Sequence, residues 1–177
     1  MSNLGVFRAS SGERIKLRHI QKDDAALLVE LFHRLSPESK RLRFHLYTTK
    51  LPEDLIWREA TTLSDLDLAC RMAVVGTITA DDGQEEAVGV ARFARQSVED
   101  TEAEVAIVVR DDFQRKGLGR HLLRVLADQA RILGISHFTG WVTANNIRLM
   151  KLIKSMEEIK DVESDSRYGE IKIRVPL

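Results

Sequence analysis

The sequence predicts a mixed α/β fold, an α+β arrangement whose first half is antiparallel. Three observations carry that expectation. Runs rich in Val, Ile and Ala flank Asp81-Asp82-Gly83, where the glycine supplies the positive φ of a hairpin turn. A third such run leads into a glycine loop, followed by apolar residues at helical spacing from Gly117 to Leu133. Near the end, Glu170 to Val175 alternates polar and apolar residues as a half-buried strand does.

The elements follow in order. Arg14 to Arg18 alternates and is expected as the first strand, with about a dozen residues before it. Asp23 and Asp24 stand ahead of Ala25 to Phe32, an N-cap candidate before apolar residues at helical spacing. Ser36-Pro37-Glu38-Ser39 starts a second helix, because serine caps the free amides and proline at the first helical position has no amide to leave unpaired. That helix is expected to reach about His45, and Leu51-Pro52-Glu53-Asp54 opens a third through Ala60. Leu66 to Thr79 and Ala87 to Arg95 then read as antiparallel strands, and Ala103 to Val109 as the next. The helix ending at Gly134 is followed by a strand over His137 to Thr143, a helix over Asn146 to Met156 and the closing strand.

Residues 1–177 are expected to form a single domain, since domains usually run about 100–200 residues. With 44% hydrophobic and 31% charged residues, the chain can bury a core and is not of disordered composition. Its 27 basic residues balance 27 acidic ones, so no global field favours nucleic acid or an anionic membrane. No stretch approaches the roughly 18 apolar residues of a spanning helix. The lone Cys70 can form no internal disulfide, and a cytoplasmic location is expected. Its place in an apolar run suits a structural thiol better than a nucleophile. His19, His33, His45, His121 and His137 show no paired ligand spacing, so no metal is expected.

The segment from Val108 to Arg120 is the most informative. A strand runs into a loop with two glycines and then a long helix, so backbone amides at the helix start can converge without Cβ obstruction. Arg115, Lys116 and Arg120 lie where the helix dipole disfavours cations, a penalty that an anionic ligand reverses. The loop is thus a candidate phosphate site, with a solvated glycine turn as the plain alternative. Neither the dinucleotide fingerprint nor the P-loop pattern is present.

Glu104 is a second candidate. On a strand over 103–109, Ala103, Val105, Ile107 and Val109 share one face, while Glu102, Glu104, Ala106 and Val108 share the other. A carboxylate among apolar strand neighbours is costly unless paired or used. A salt-bridged or strand-end glutamate explains it equally well.

Gln114-x-x-Gly117-x-Gly119, after a hydrophobic strand and opening a helix, resembles the pyrophosphate-binding motif of the GNAT superfamily of acetyl-CoA-dependent N-acetyltransferases. The resemblance runs from about Arg14 to Val175 in element order. In detail it is similar to the GNAT domains of bacterial protein lysine acetyltransferases, through Leu35-Ser36-Pro37-Glu38-Ser39 leading to Arg43-Phe44, Glu104-Val105-Ala106, and Arg110-Asp111-Asp112 ahead of Gln114.

The resemblance implies a largely antiparallel, GNAT-like mixed sheet flanked by helices, and acetyl-CoA as cosubstrate. It implies that the pantetheine arm lies along Ile107, Val108 and Val109 like an added strand. The pyrophosphate would meet Gln114, Arg115, Lys116, Gly117, Leu118, Gly119 and Arg120, with Asn146 near the cofactor. It also makes Glu104 the general base for direct transfer to an amine. The preferred acceptor is a protein lysine; a small-molecule amine, or a non-catalytic acyl-CoA-sensing module, are the rivals. A homodimer is left open as a further partner.

Two departures from the family pattern stand out. Many relatives carry a general-acid tyrosine where this chain has Ile153, and Tyr168 is a weaker substitute, so the acid for the departing thiolate is unassigned. Met156-Glu157-Glu158 replaces the Gly-Phe pair that commonly ends the last helix. In the acidic group Glu99, Asp100, Glu102 and Glu104, the first three read as a solvated loop.

Overall fold

The structure is a computed structural model that describes residues 3–44, 51–143, 146–154, 163–167 and 170–177. Among these residues eight strands form one sheet: β1 (Asn3–Arg8), β2 (Arg14–His19), β3 (Arg71–Thr79), β4 (Glu85–Ala94), β5 (Glu102–Val109), β6 (His137–Thr143), β7 (Glu163–Arg167) and β8 (Glu170–Pro176). Their order is β1-β2-β3-β4-β5-β6-β8-β7, and every adjacent pair is antiparallel except β5 with β6. The helices are α1 (Ala25–His33), α2 (Pro37–Phe44), α3 (Glu53–Ser64), α4 (Leu118–Ile132) and α5 (Ile147–Lys154).

The mixed, largely antiparallel fold expected from the sequence is therefore present, with Gly83 at φ 83° in the β3–β4 hairpin. Arg14 to Arg18 is not the first strand: β1 precedes it and pairs with β2. The strand expected from Leu66 begins only at Arg71, because the amides of Cys70 and Arg71 turn back onto the Asp67 carbonyl. The strand β7 was not anticipated. His45, Met156-Glu157-Glu158 and Tyr168 lie outside the described residues.

Alternation along the strands sorts the core into two layers. Ile15, Leu17, Val74, Val88 and Phe93 meet Leu118, Leu122 and Leu126 of α4 on one face. On the opposite face Ala73, Val75 and Val90 meet Leu31 and Leu35 at α1, and Val29 continues the packing to Ile56 and Ala60 of α3. The second half has its own cluster, in which Val142, Ile173 and Val175 pack with Ile153 of α5.

The two halves join through little. Parallel pairing covers only Glu102↔His137, Ala103↔Phe138 and Glu104↔Thr139, after which the strands diverge. On its other side β5 stays paired with β4 as far as Gly89↔Val109. That fork places the site.

Candidate active site

The amide of Arg110 donates to Val88 O at 2.9 Å, which sets the alternation along β5. Odd-numbered residues of the strand therefore turn their backbone groups away from β4, toward the fork. Beyond the last parallel pair, the N–H and C=O of Ile107 and the N–H of Val109 face the gap, while Val109 O accepts from Gln114 Nε2 at 2.9 Å. A free strand edge between packed layers is a template for an extended ligand.

The fork opens into a cleft of about 880 Å³ between β5, β6, α2, α5 and the start of α4. Glu104, Ile107, Val108, Val109, Gln114, Arg115, Gly117, Gly119, Arg120 and Asn146, all singled out from the sequence, line it together. Two of the group do not. Leu118 is fully buried in the core under α4, and the Lys116 ammonium turns to Glu13 at 2.7 Å and over the Phe113 ring. Lys116 holds the Glu13 carboxyl down to about 2, helped by the Ser11 hydroxyl.

The loop is shaped by its backbone. Gly117 is the N-cap of α4 in the left-handed region, at φ 87°, and a Cβ there would sit 3.2 Å from the Phe7 ring. Arg115 is also left-handed, at φ 59°. Gly119 faces the cleft, where a Cβ would contact Ile107, Val109 and Leu152 at 3.4–3.6 Å. The first amides of α4 thus stand unobstructed, with Arg115 and Arg120 beside them and free of ion pairs among the described residues. That donor set suits a pyrophosphate.

Behind the loop, Asp111 accepts from the Ser36 amide at 2.9 Å and from the Ser36 and Ser39 hydroxyls at 2.8 Å each. Burial works against its charge, but these donors hold its carboxyl below the ordinary range. Gln114 Nε2 also donates to Ser39 Oγ at 3.2 Å, so the start of α2 is tied to the glycine loop. Arg110 locks the same turn through Asp112 at 2.7 Å and Glu86 at 2.9 Å.

Asn146 is buried as the N-cap of α5, its Oδ1 accepting from the Leu149 amide at 3.1 Å. Its Nδ2 has no hydrogen-bond partner among the described residues and borders the cleft. Arg148, which the sequence did not single out, lines the cleft and donates to Gln114 Oε1 at 3.2 Å. A cation in the first turn of a helix was its signal, as for Arg120. Trp141, half exposed on β6, forms part of the facing wall and carried no such signal.

Glu104 sits where the fork opens, paired with Ala94 on one side and Thr139 on the other. It is exposed, so the desolvation cost inferred from its apolar neighbours does not apply. What sets it apart is the lack of a partner. Glu102 pairs with Arg174 at 2.7 Å, Glu99 bonds Ser97, and Asp100 accepts from the Ser97 amide. Glu104 has no hydrogen bond or ion pair among the described residues, and the nearby Arg43 supplies only a longer-range field. Ile153, at the position of the family's tyrosine, is buried in an apolar cluster.

The strand fork stands beside an amide-rich helix start, and residues 32–156 match the acetyltransferase (GNAT) family model, which makes the protein an acyltransferase. The chain belongs to that family, whose cosubstrate is acetyl-CoA. It is 30% identical over 141 residues to the acetyltransferase PA5475 of Pseudomonas aeruginosa, covering 80% of this chain and 73% of that one. Among solved structures, it resembles the GNAT domain of S. lividans PAT, with TM-score 0.82, 25% identity and coverage of 98% and 96%. The fold is also that of yncA from Salmonella typhimurium, solved with its cofactor acetyl-CoA, with TM-score 0.60, 19% identity and coverage of 93% and 94%.

No group of three or more His, Cys, Asp or Glu side chains suited to a metal occurs among the described residues. None of their helices is long and apolar enough to cross a membrane.

Proposed function

We propose that this acetyltransferase seats acetyl-CoA along the open edge of β5 and acetylates a protein lysine, with Glu104 as general base. The unpartnered carboxylate at the mouth of the fork carries the proposal. The likeness to the GNAT domain of S. lividans PAT supports a protein acceptor, as does the exposure of Glu104 to a substrate arriving from solvent. The single free Cys70 suits a reducing, cytoplasmic setting.

Acetyl-CoA supplies an activated acetyl group; the chain supplies position and proton transfer. Ile107 and Val109 hold the arm at the strand edge, and the amides of Gly117 to Arg120 with Arg115 and Arg120 hold its phosphates. A lysine with a pKa of about 10.4 is almost wholly protonated near neutrality and has no lone pair to attack with. Glu104 takes that proton, directly or through water, and the freed amine attacks without an acetyl-enzyme stage.

The test is incubation with labelled acetyl-CoA and a soluble cell extract, followed by mapping of the acetylated lysines. Label concentrated in one or a few proteins is expected. Label found only in small amines would overturn the protein acceptor while leaving the transferase intact.

A further inference from the structure

A second cavity of about 350 Å³ lies on the sheet face that carries Glu104, between α1, α2 and α3 and strands β4 and β5. Arg43, Ala106 and Val108 line both this cavity and the cofactor cleft, so the two spaces meet at β5. Its walls are mainly apolar, yet two guanidinium-bearing side chains, Arg43 and Arg92, line it. Arg92 stands directly across from Ala106 in the β4–β5 register.

Neither arginine has a counter-ion among the described residues. Arg92 donates to Leu63 O at 3.2 Å, and the Arg43 guanidinium lies over the Phe44 ring at 4.9 Å. Glu59 borders the cavity, but its carboxylate is exposed and faces Arg58 at 4.0 Å. Burial pushes Arg92 down to about 10, with Arg43 and Arg71 adding repulsion. Burial also lowers Arg43, against the field of Glu104. Cations partly withdrawn from water are ordinarily paired, so two half-buried guanidinium groups gathered in one apolar cavity call for an anion from a ligand.

We propose that this cavity is an acyl pocket for a short carboxylate-ended chain of the succinyl type, with Arg43 and Arg92 receiving the carboxylate. The inference rests on the proposed seating of acyl-CoA along β5. From that seat an acyl chain enters the cavity at Ala106 and Val108, and a two-carbon acetyl group leaves most of the space unfilled. A lysine side chain arriving from solvent stops at Glu104 and brings no anion beneath α2. The chemistry is that of acetyl transfer. The ammonium gives one proton to Glu104, the freed amine nitrogen bonds to the acyl carbon, the carbon–sulfur bond breaks, and the nitrogen's second proton passes through water to the departing thiolate. The distal carboxylate is unchanged throughout.

Calorimetric titration of the protein and of R92Q with acetyl-CoA, butyryl-CoA and succinyl-CoA tests the proposal without an acceptor. Butyryl matches succinyl in chain length and lacks its charge. The wild type is expected to bind succinyl-CoA about tenfold more tightly than butyryl-CoA, the scale of one charge-assisted contact. R92Q should lose most of that ratio, and because the readout is a ratio, a general loss of folded protein cancels. Equal affinity for the two, with acetyl-CoA still bound, overturns the acyl pocket alone. An advantage that survives in both R43Q and R92Q overturns it too. Failure to bind any of the three removes the cosubstrate site itself, and the pocket with it.

Discussion

Glu104 stands unpaired at the mouth of the fork, whereas Lys116 in the glycine loop is held by Glu13. Glu104→Gln keeps shape and much of the hydrogen-bonding capacity but removes the base. Acetyl-CoA should still bind, while transfer near neutral pH falls by about 10²–10⁴-fold, the usual range for general-base catalysis. Raising the pH should restore part of the mutant's rate, because free amine then becomes abundant without help. Near-normal transfer by the mutant to a verified acceptor would return Glu104 to a structural role. For the cations, geometry separates neighbours that the sequence treats alike. Arg120 lines the cleft without an ion pair among the described residues, whereas the Lys116 ammonium is held by Glu13. Arg120→Ala should therefore raise the apparent acetyl-CoA constant about tenfold with little change in maximal rate, since phosphate contacts bind ground and transition states alike. Lys116→Ala should raise it much less. Titration of both variants decides the point, and a larger effect at Lys116 would mean that its ammonium leaves Glu13 for the phosphates.

At the scale of elements, the start of α4 depends on a conformation that few residues adopt. Gly117→Ala places a Cβ both at φ 87° and 3.2 Å from Phe7. The left-handed backbone alone costs about 1–2 kcal/mol, so thermal unfolding should shift down measurably and cofactor binding should weaken with it. A variant as stable as the parent would show that the loop relaxes freely. Next to it, Phe7 of β1 stacks on His121 of α4 with ring centroids 4.7 Å apart. Burial, and secondarily Arg124, lowers the His121 pKa, so the fold favours the neutral imidazole. As pH falls below about 6.5 the unfolded chain takes up this proton first, and stability drops until the folded pKa is reached. Melting curves between pH 7 and 5 should show that loss, and His121→Phe should reduce it, leaving the share of His19, whose pKa burial also lowers. The same elements show what a sequence can carry. The strands β2 to β6 and α4 were legible because their side chains obey a period, and Gly117 and Gly119 because a motif surrounds them. β1 lacks a period because its register shifts between Asn3 and Gly5 and only Leu4 and Phe7 are half buried, and β7, Glu-Ser-Asp-Ser-Arg, has no apolar residue to alternate. Trp141 joins the site only through the tertiary fold, which no local pattern announces, and Arg148 is marked in the sequence only as a cation in the first turn of a helix.

For the whole molecule, the fork is both a thinly paired seam of the sheet and the edge proposed to seat the cosubstrate. Three parallel pairs between β5 and β6, with the amides of Ser136 and His137 on Thr101 O, carry the sheet from one half to the other. An extended ligand in the gap would supply the pairing that β6 withholds, so binding should stiffen the seam as well as add stability by mass action, about 2.7 kcal/mol at a hundredfold excess over Kd. The alternation along β5 makes this specific at single-residue resolution. The amides of Ala106 and Val108 already face β4, whereas those of Ile107 and Val109 face the gap. Hydrogen exchange followed residue by residue, with and without acetyl-CoA, should therefore slow most at Ile107 and Val109, with Ala106 and Val108 protected in both states. Uniform slowing along the strand would indicate only global stabilisation. Slowing confined to the glycine loop, with Ile107 and Val109 unchanged, would place the phosphates correctly but take the pantetheine arm away from β5, and with it the alignment that brings the thioester to Glu104.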